Sequence, residues 1–160
     1  MAAAFLFKGD HVIMMQKSRS FVDGEFWTGL GGHLEEEELG WPSRACIREI
    51  FEESGIREEQ IIDLQLRYIL LRLKETEIRQ QYIYFGRTDC EQLLQSEEGE
   101  LHWIHRDQLS ELRLSRIVAF MLEDYLKDPE CGEIRVGTIT AGMDGQPAMQ
   151  WSQLRDPNVF

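Results

Sequence analysis

Gly31-Gly32-His33-Leu34-Glu35, followed by Arg48-Glu49-Ile50-Phe51-Glu52-Glu53-Ser54-Gly55-Ile56, is the stretch on which the reading of this chain turns. Its second part reads as a helix from about Pro42 to about Ser54. Pro42 suits the first helical turn, where a missing N–H costs nothing. Gly55 suits the left-handed residue after the last turn, with Ile56 closing the cap. At about 100° per residue, Ile47, Ile50, Phe51 and Ser54 fall on one side of the helix. Glu49, Glu52 and Glu53 fall on the other, within an arc of roughly 100° around the small Ala45 and beside Arg48. Glu49 and Glu53 stand at i,i+4, where like charges cost roughly 0.2–0.5 kcal/mol even on an exposed helix. A solvated acidic face is the plain reading of such a pattern. A divalent cation is the alternative, and it would offset the repulsion.

The spacing bears on that choice. Arg48-Glu49-Ile50-x-Glu52-Glu53-x-Gly55-Ile56 resembles the second half of the Nudix box, G-x5-E-x7-R-E-U-x-E-E-x-G-U with U aliphatic. It agrees at every fixed position from Arg48 onward. Gly31-Gly32-x-x-Glu35 is similar to the first half but sits two residues early. A two-residue insertion between Glu38 and Pro42 accounts for the offset and puts Glu38 in the place of the first motif glutamate. Glu36 and Glu37 fit that place as well, because Glu35 to Glu38 is an unbroken acidic run. The resemblance implies a single Nudix hydrolase domain over residues 1–160, an α+β fold built as an α/β/α sandwich around a mixed sheet.

The composition agrees with a soluble domain. The 160 residues are 42% hydrophobic and carry a formal net charge of −12. Such a surface repels the phosphates of duplex nucleic acid, although metal ions would still let it hold a small nucleotide. No cleavable signal pattern and no apolar run near membrane-spanning length is visible, so a cytoplasmic protein without a membrane partner is expected. Cys46, Cys90 and Cys131 are scattered and form no C-x-x-C pair, which indicates neither a zinc site nor a disulfide framework. Oligomeric state is not legible.

Hydrophobic periodicity supplies the other elements. Strands are expected at Ala2–Phe7, His11–Gln16, Ile61–Lys74 (with a bulge), Ile78–Arg87, Leu101–Ile104, Ile134–Thr140 and Ala148–Trp151. Lys17–Gly24 reads as a loop, Phe26–Gly32 as the approach to the box, and Thr88–Gly99 as an acidic loop with a helical turn at Glu91–Leu94. Asp107–Leu112 reads as a turn of helix and Arg116–Leu126 as a second helix. The order β-β-α-β-β-β-α-β suits a mixed sheet with helices on both faces.

Converging carboxylates offer the hard oxygens that Mg²⁺ or Mn²⁺ prefers, and an ion there would neutralise phosphate charge and acidify water. The resemblance implies that Glu49, Glu52 and Glu53 are metal ligands, that a backbone carbonyl near Gly31 helps, and that Arg48 orients the glutamates. Many relatives add an acidic residue before a strand that carries a tryptophan. In Glu97-Glu98-Gly99-Glu100-Leu101-His102-Trp103, Glu97 is the expected added ligand or base, with Glu98 and Glu100 as rivals. Lys17 through Gly32 resembles the corresponding stretch of MutT-type enzymes that hydrolyse oxidised purine nucleoside triphosphates. There Lys17 or Arg19 would meet phosphate, Trp27 or Phe26 would stack on a base, and Thr28 would hydrogen-bond it. Trp27 reads equally as a core residue, and Thr28 stands where some of those enzymes carry asparagine. His33 would reach a phosphate or be an ordinary loop histidine. The implied reaction is hydrolysis of a nucleoside triphosphate to monophosphate and pyrophosphate. ADP-ribose, nucleotide sugars and dinucleoside polyphosphates are other substrates, and a non-catalytic nucleotide-binding domain is the other class.

Overall fold

In the computed structural model, residues 1–18, 24–94, 96 and 98–157 are described. Arg19 and Glu97, both expected at the site, lie outside them. Nine strands form one mixed sheet: β1 Ala2–Lys8, β2 His11–Ser18, β3 Glu25–Thr28, β4 Leu30–Gly32, β5 Ile61–Lys74, β6 Glu77–Thr88, β7 Glu100–His105, β8 Ile134–Ala141 and β9 Pro147–Leu154. The path through the sheet is β3-β2-β1-β6-β5-β8-β9, with β4 added to β1 and β7 added to β2. β1 with β6 and β5 with β8 are parallel, and the other pairs are antiparallel. Two helices flank the sheet: α1 Pro42–Ser54 and α2 Arg116–Lys127.

Strand alternation splits the core in two. Ala2, Ala4, Leu6, Ile13, Met15 and Tyr84 face α1 and pack with its Ala45, Cys46 and Ile50. Phe5, Phe7, Met14, Ile83 and Phe85 face α2 and pack with its Ile117, Met121 and Leu122. A polar cluster ties α2 to β5 and β8. Asp124, 9% exposed, accepts a hydrogen bond from the Tyr68 hydroxyl at 2.9 Å and two from Arg135 Nη1 at 2.5 Å. The Arg135 guanidinium also packs over Trp151, 5.5 Å from the ring centroid.

The boundaries of α1 fall where the local signals put them. Pro42 opens the helix, and Gly55 closes it at φ 74° with its N–H donating to the Phe51 carbonyl. The expected bulge in β5 is present, between Ile62 and Gln65 and again between Leu66 and Tyr68. Three expectations need correction. No helical turn forms at Glu91–Leu94. β2 runs through Lys17 and Ser18, which were expected in a loop, and the approach to the box forms two short strands, β3 and β4. The buried face of α1 is also rotated from the expected one: Phe51 is 52% exposed, whereas Ala45, Cys46, Glu49, Ile50, Glu53 and Ser54 are buried.

Candidate active site

The rotation of α1 follows from what it packs against. β4 is Leu30-Gly31-Gly32, and its two glycines present bare backbone to the helix. A side chain at Gly32 would collide with the Glu49 carboxyl group, and one at Gly31, held at φ 145°, would collide with β1 at Ala2 and Ala3. Two carboxylates can therefore lie down on a strand where leucines or valines would have excluded them. Glu49 is 8% exposed and Glu53 is 3% exposed. Glu53 accepts a hydrogen bond from the Gly31 N–H at 2.7 Å. The structure thus ties Gly31 to the site through its amide.

Arg48 gathers the remaining carboxylates. Its Nε and Nη2 donate to the two oxygens of Glu38 at 2.9 and 2.8 Å, and its Nη1 donates to Glu49 and Glu52 at 3.0 Å each. Nη2 also donates to the His33 carbonyl at 3.1 Å, so His33 enters through its backbone while its side chain is exposed. The acidic run forms a short 3-10 turn, Glu36–Glu38, and Glu38 is the member that it delivers to Arg48. Leu39, Gly40 and Trp41 then carry the chain to Pro42.

From β2, Lys17 Nζ reaches Glu98 Oε2 at 2.5 Å and Glu53 Oε1 at 3.5 Å. Of the acidic loop before β7, Glu98 is thus brought to the cluster, while Glu100 faces His102 at 3.5 Å. The register of β3 on β2 sorts the proposed base contacts. Lys17 pairs with Phe26 and Met15 with Thr28, so Phe26 and Thr28 share the α1 face with the acidic cluster. Trp27 pairs with Gln16 and projects to the α2 face, edge-on to His102 at 5.3 Å. Among the expected substrate contacts, Lys17 touches Glu53, Thr28 shares its face of the sheet, and Trp27 lies on the other face. The signal for this separation lies in the two-residue strand period, which the sequence reading did not apply to Phe26–Thr28.

The electrostatics follow from burial and from these partners. Burial pushes Glu53 up to about 7, against the opposing pull of the Gly31 N–H and of Lys17. Burial also raises Glu49, with the Arg48 hydrogen bond and charge opposing it. The Arg48 hydrogen bonds hold Glu38 down to about 2, and Glu38 in turn raises Arg48. Burial works to lower Lys17, but Glu98 and Glu53 outweigh it and raise the ammonium. Glu98 is lowered by the same hydrogen bond from Lys17.

This donor set fits a hard divalent cation in chemistry and in charge. Buried Glu49 and Glu53 are desolvated anions, and the Lys17 ammonium already bridges Glu53 and Glu98 as a cation would. Among the described residues no three acidic or metal-binding side chains converge closely enough to form a ready-made cage.

The sequence profile of the NUDIX domain matches residues 1–124. The chain belongs to the NUDIX domain family. It is an enzyme of that family, a pyrophosphohydrolase, and Nudix hydrolases generally use divalent metals and act on small nucleotide substrates. No curated protein sequence matches it significantly. Among solved structures it is similar to the mutator MutT protein of Bacillus halodurans, with TM-score 0.69, 22% identity and coverage of 94% of this chain and 95% of that one. A NUDIX hydrolase from Nitrosomonas europaea gives TM-score 0.68 at 14% identity, covering 86% of this chain and 76% of that one. An Ap4A hydrolase of C. elegans, solved as a binary complex, gives 0.62 at 17% identity, covering 79% and 92%. At these identities the likeness speaks for the Nudix fold. The sheet continues through β8 and β9, beyond the stretch that the family profile matches. No described helix is long and apolar enough to cross a membrane.

Proposed function

We propose that this Nudix hydrolase cleaves a nucleoside triphosphate to monophosphate and pyrophosphate, with an oxidised or non-standard purine triphosphate as the favoured substrate. The observation that carries the reading is the buried Glu49–Glu53 pair on Gly31–Gly32, with Lys17, Phe26 and Thr28 on the same face of the sheet. A bound Mg²⁺ or Mn²⁺ would supply charge neutralisation on the diphosphate oxygens and acidify water at the site.

The chain's own groups do the rest. Glu49, Glu52 and Glu53 hold the ion, and Glu98 is the described candidate from the acidic loop. Arg48 fixes Glu38, Glu49 and Glu52 in one array through charge-assisted bonds, so little reorganisation remains when the substrate arrives. A carboxylate of the cluster would orient the attacking water or take its proton. Lys17 sits at the mouth of the cluster, where a phosphate would draw it away from Glu98. Phe26 and Thr28 offer a ring and a hydroxyl to a base.

The test is hydrolysis by the purified protein with Mg²⁺ or Mn²⁺, comparing Glu52→Gln and Glu53→Gln. Loss of turnover on the order of 10²–10⁴-fold is expected for Glu53→Gln, and unchanged turnover in both variants would sink the assigned site. A panel of canonical and oxidised purine triphosphates, ADP-ribose, a nucleotide sugar and a dinucleoside polyphosphate decides the substrate. Preference for one of the last three would replace the triphosphate reading. Tight binding across the panel with no metal-dependent turnover would favour a purely binding role.

A further inference from the structure

A cavity lies away from the acidic cluster. Gly32 pairs with Ala2 at one end of β1, whereas Phe7, at the other end, lines this cavity. Five residues of strand put the two regions about 17 Å apart along β1. They also lie on opposite faces, since Phe7, Phe85 and Tyr125 belong to the core on the α2 side. The cavity holds about 450 Å³, and Arg67, Arg87 and Arg106 line it beside those three rings.

Arg67 is the unusual member. It is 6% exposed, yet it makes no ion pair among the described residues. Its Nη1 donates to the Pro129 carbonyl at 2.8 Å, its guanidinium lies 5.3 Å from the centroid of the Tyr125 ring, and its Nε is buried without a partner. Arginine is almost never buried unless it is paired, and an uncompensated buried charge is strongly unfavourable. Arg106 repeats the pattern more weakly: its Nε is buried without a hydrogen bond, and its charge partner Asp10 stands 3.5 Å away. Arg87 is held at the rim by Asp63, which sits in the left-handed region at φ 52° where β5 bulges. Glu130 is the other acidic residue of the lining, so three arginines face two carboxylates. With Asp10 against Arg106 the local charges balance, on a chain of net charge −12.

We infer that the cavity is a second, non-catalytic site for a phosphate-bearing small molecule, with the phosphate on Arg67 and Arg106 and the organic part beside Phe7. Forked guanidinium donors match phosphate oxygens, and the volume falls within the usual range for small-ligand pockets. The bulge at Asp63 contributes by drawing Arg87 to the rim, where it can close over the ligand. The inference is independent of the substrate proposed for the acidic cluster.

The experiment is calorimetric titration of the full chain in EDTA with inorganic phosphate and, separately, with a nucleoside monophosphate. EDTA keeps metal-mediated phosphate binding at the acidic cluster out of the measurement. Saturable binding in the millimolar range or tighter is expected, unchanged in Glu53→Gln and weakened at least tenfold in Arg67→Met. Because Arg67 is buried, Arg106→Ala serves as the second variant and should weaken binding at least fivefold while thermal unfolding stays cooperative. Equal affinity for both probes would assign the site to free phosphate. Tighter binding of the monophosphate would assign it to a phosphorylated metabolite. No saturable binding of either probe, or binding abolished by Glu53→Gln and untouched by the arginine variants, would overturn the inference.

Discussion

Replacing Glu53 by glutamine should push stability and activity in opposite directions. The carboxyl group is buried against Gly31 and its pKa is raised from 4.5 to about 7. Below pH 4.5 it is protonated in both the folded and unfolded chain and has no effect on the balance. Between 4.5 and 7 the folded state binds more protons than the unfolded state, so stability of the metal-free protein falls as pH rises through that window. Each pH unit of the difference is worth about 1.4 kcal/mol, so the ionised group would cost the fold up to about 3 kcal/mol above pH 7. Solvent at the mouth of the site screens part of this, which leaves roughly 1–3 kcal/mol. Glutamine keeps an oxygen to accept the Gly31 N–H and sheds the charge. In EDTA at pH 8, Glu53→Gln should therefore unfold at a higher temperature than the native chain, by about 2–4 °C for each kcal/mol gained. At pH 4.5 the two should coincide. With Mg²⁺ the order should invert, because an ion at a hundredfold its Kd adds about 2.7 kcal/mol to the chain that binds it well. Thermal unfolding at three pH values, with and without Mg²⁺, reads all of this. A variant that is less stable in EDTA at pH 8, or an advantage that does not depend on pH, would refute the argument that burial sets the protonation of Glu53.

Other perturbations test separate parts of the structure. Asp124→Ala would leave Arg135 and the Tyr68 hydroxyl without their buried partner and should cost about 3–5 kcal/mol in urea denaturation; a loss near zero would mean that the cluster does not tie α2 to β8. Gly32→Ala would drive the Glu49 carboxylate off β4. It should lower metal-dependent kcat on the order of 10²-fold while circular dichroism shows the fold retained. Glu38 is held down to about 2 by Arg48, so its share of stability is present above pH 4.5 and lost as pH falls toward 2. Glu38→Gln should remove that part of the acid slope. Phe26→Ala should raise KM, whereas Trp27→Ala, on the α2 face, should lower Tm and leave KM within about twofold; the reverse pattern would return Trp27 to the substrate.

What the sequence made legible depended on how local its determinants were. The limits of α1 rest on Pro42 and Gly55, which act within one turn, and they are where the residues put them. The inward and outward faces of β6 rest on simple alternation, and Tyr84 and Phe85 divide between the two cores accordingly. The angular reading of α1 failed at Phe51 because amphipathicity ranks side chains by polarity, whereas the packing surface was decided elsewhere in the chain. Gly32 removed the side chain that would have met Glu49, and Gly31 turned its N–H to Glu53, so the polar edge of the helix went inward and the phenyl ring went out. The same long-range dependence hid Asp124 and Arg135, which meet across a connection that carries no periodic signal.

The burial of Glu49 and Glu53 explains why this arrangement can serve as a site at all. On a solvated helix face, a cation would compete with water and counter-ions for carboxylates that are already satisfied. Against the bare backbone of β4 the two carboxylates have lost much of their water, and solvent screens their repulsion less. Arg48 offsets that repulsion from one side and Lys17 from the other, but neither lies between Glu49 and Glu53. The charge is thus balanced well enough for the chain to fold and incompletely enough for a cation to bind. Arg48→Lys keeps the charge but loses the fork that spans Glu38, Glu49 and Glu52. If geometry matters beyond charge, the lysine variant should lose kcat by at least tenfold while its Mg²⁺ affinity changes little. Native kcat in that variant would show that Arg48 acts as a point charge alone.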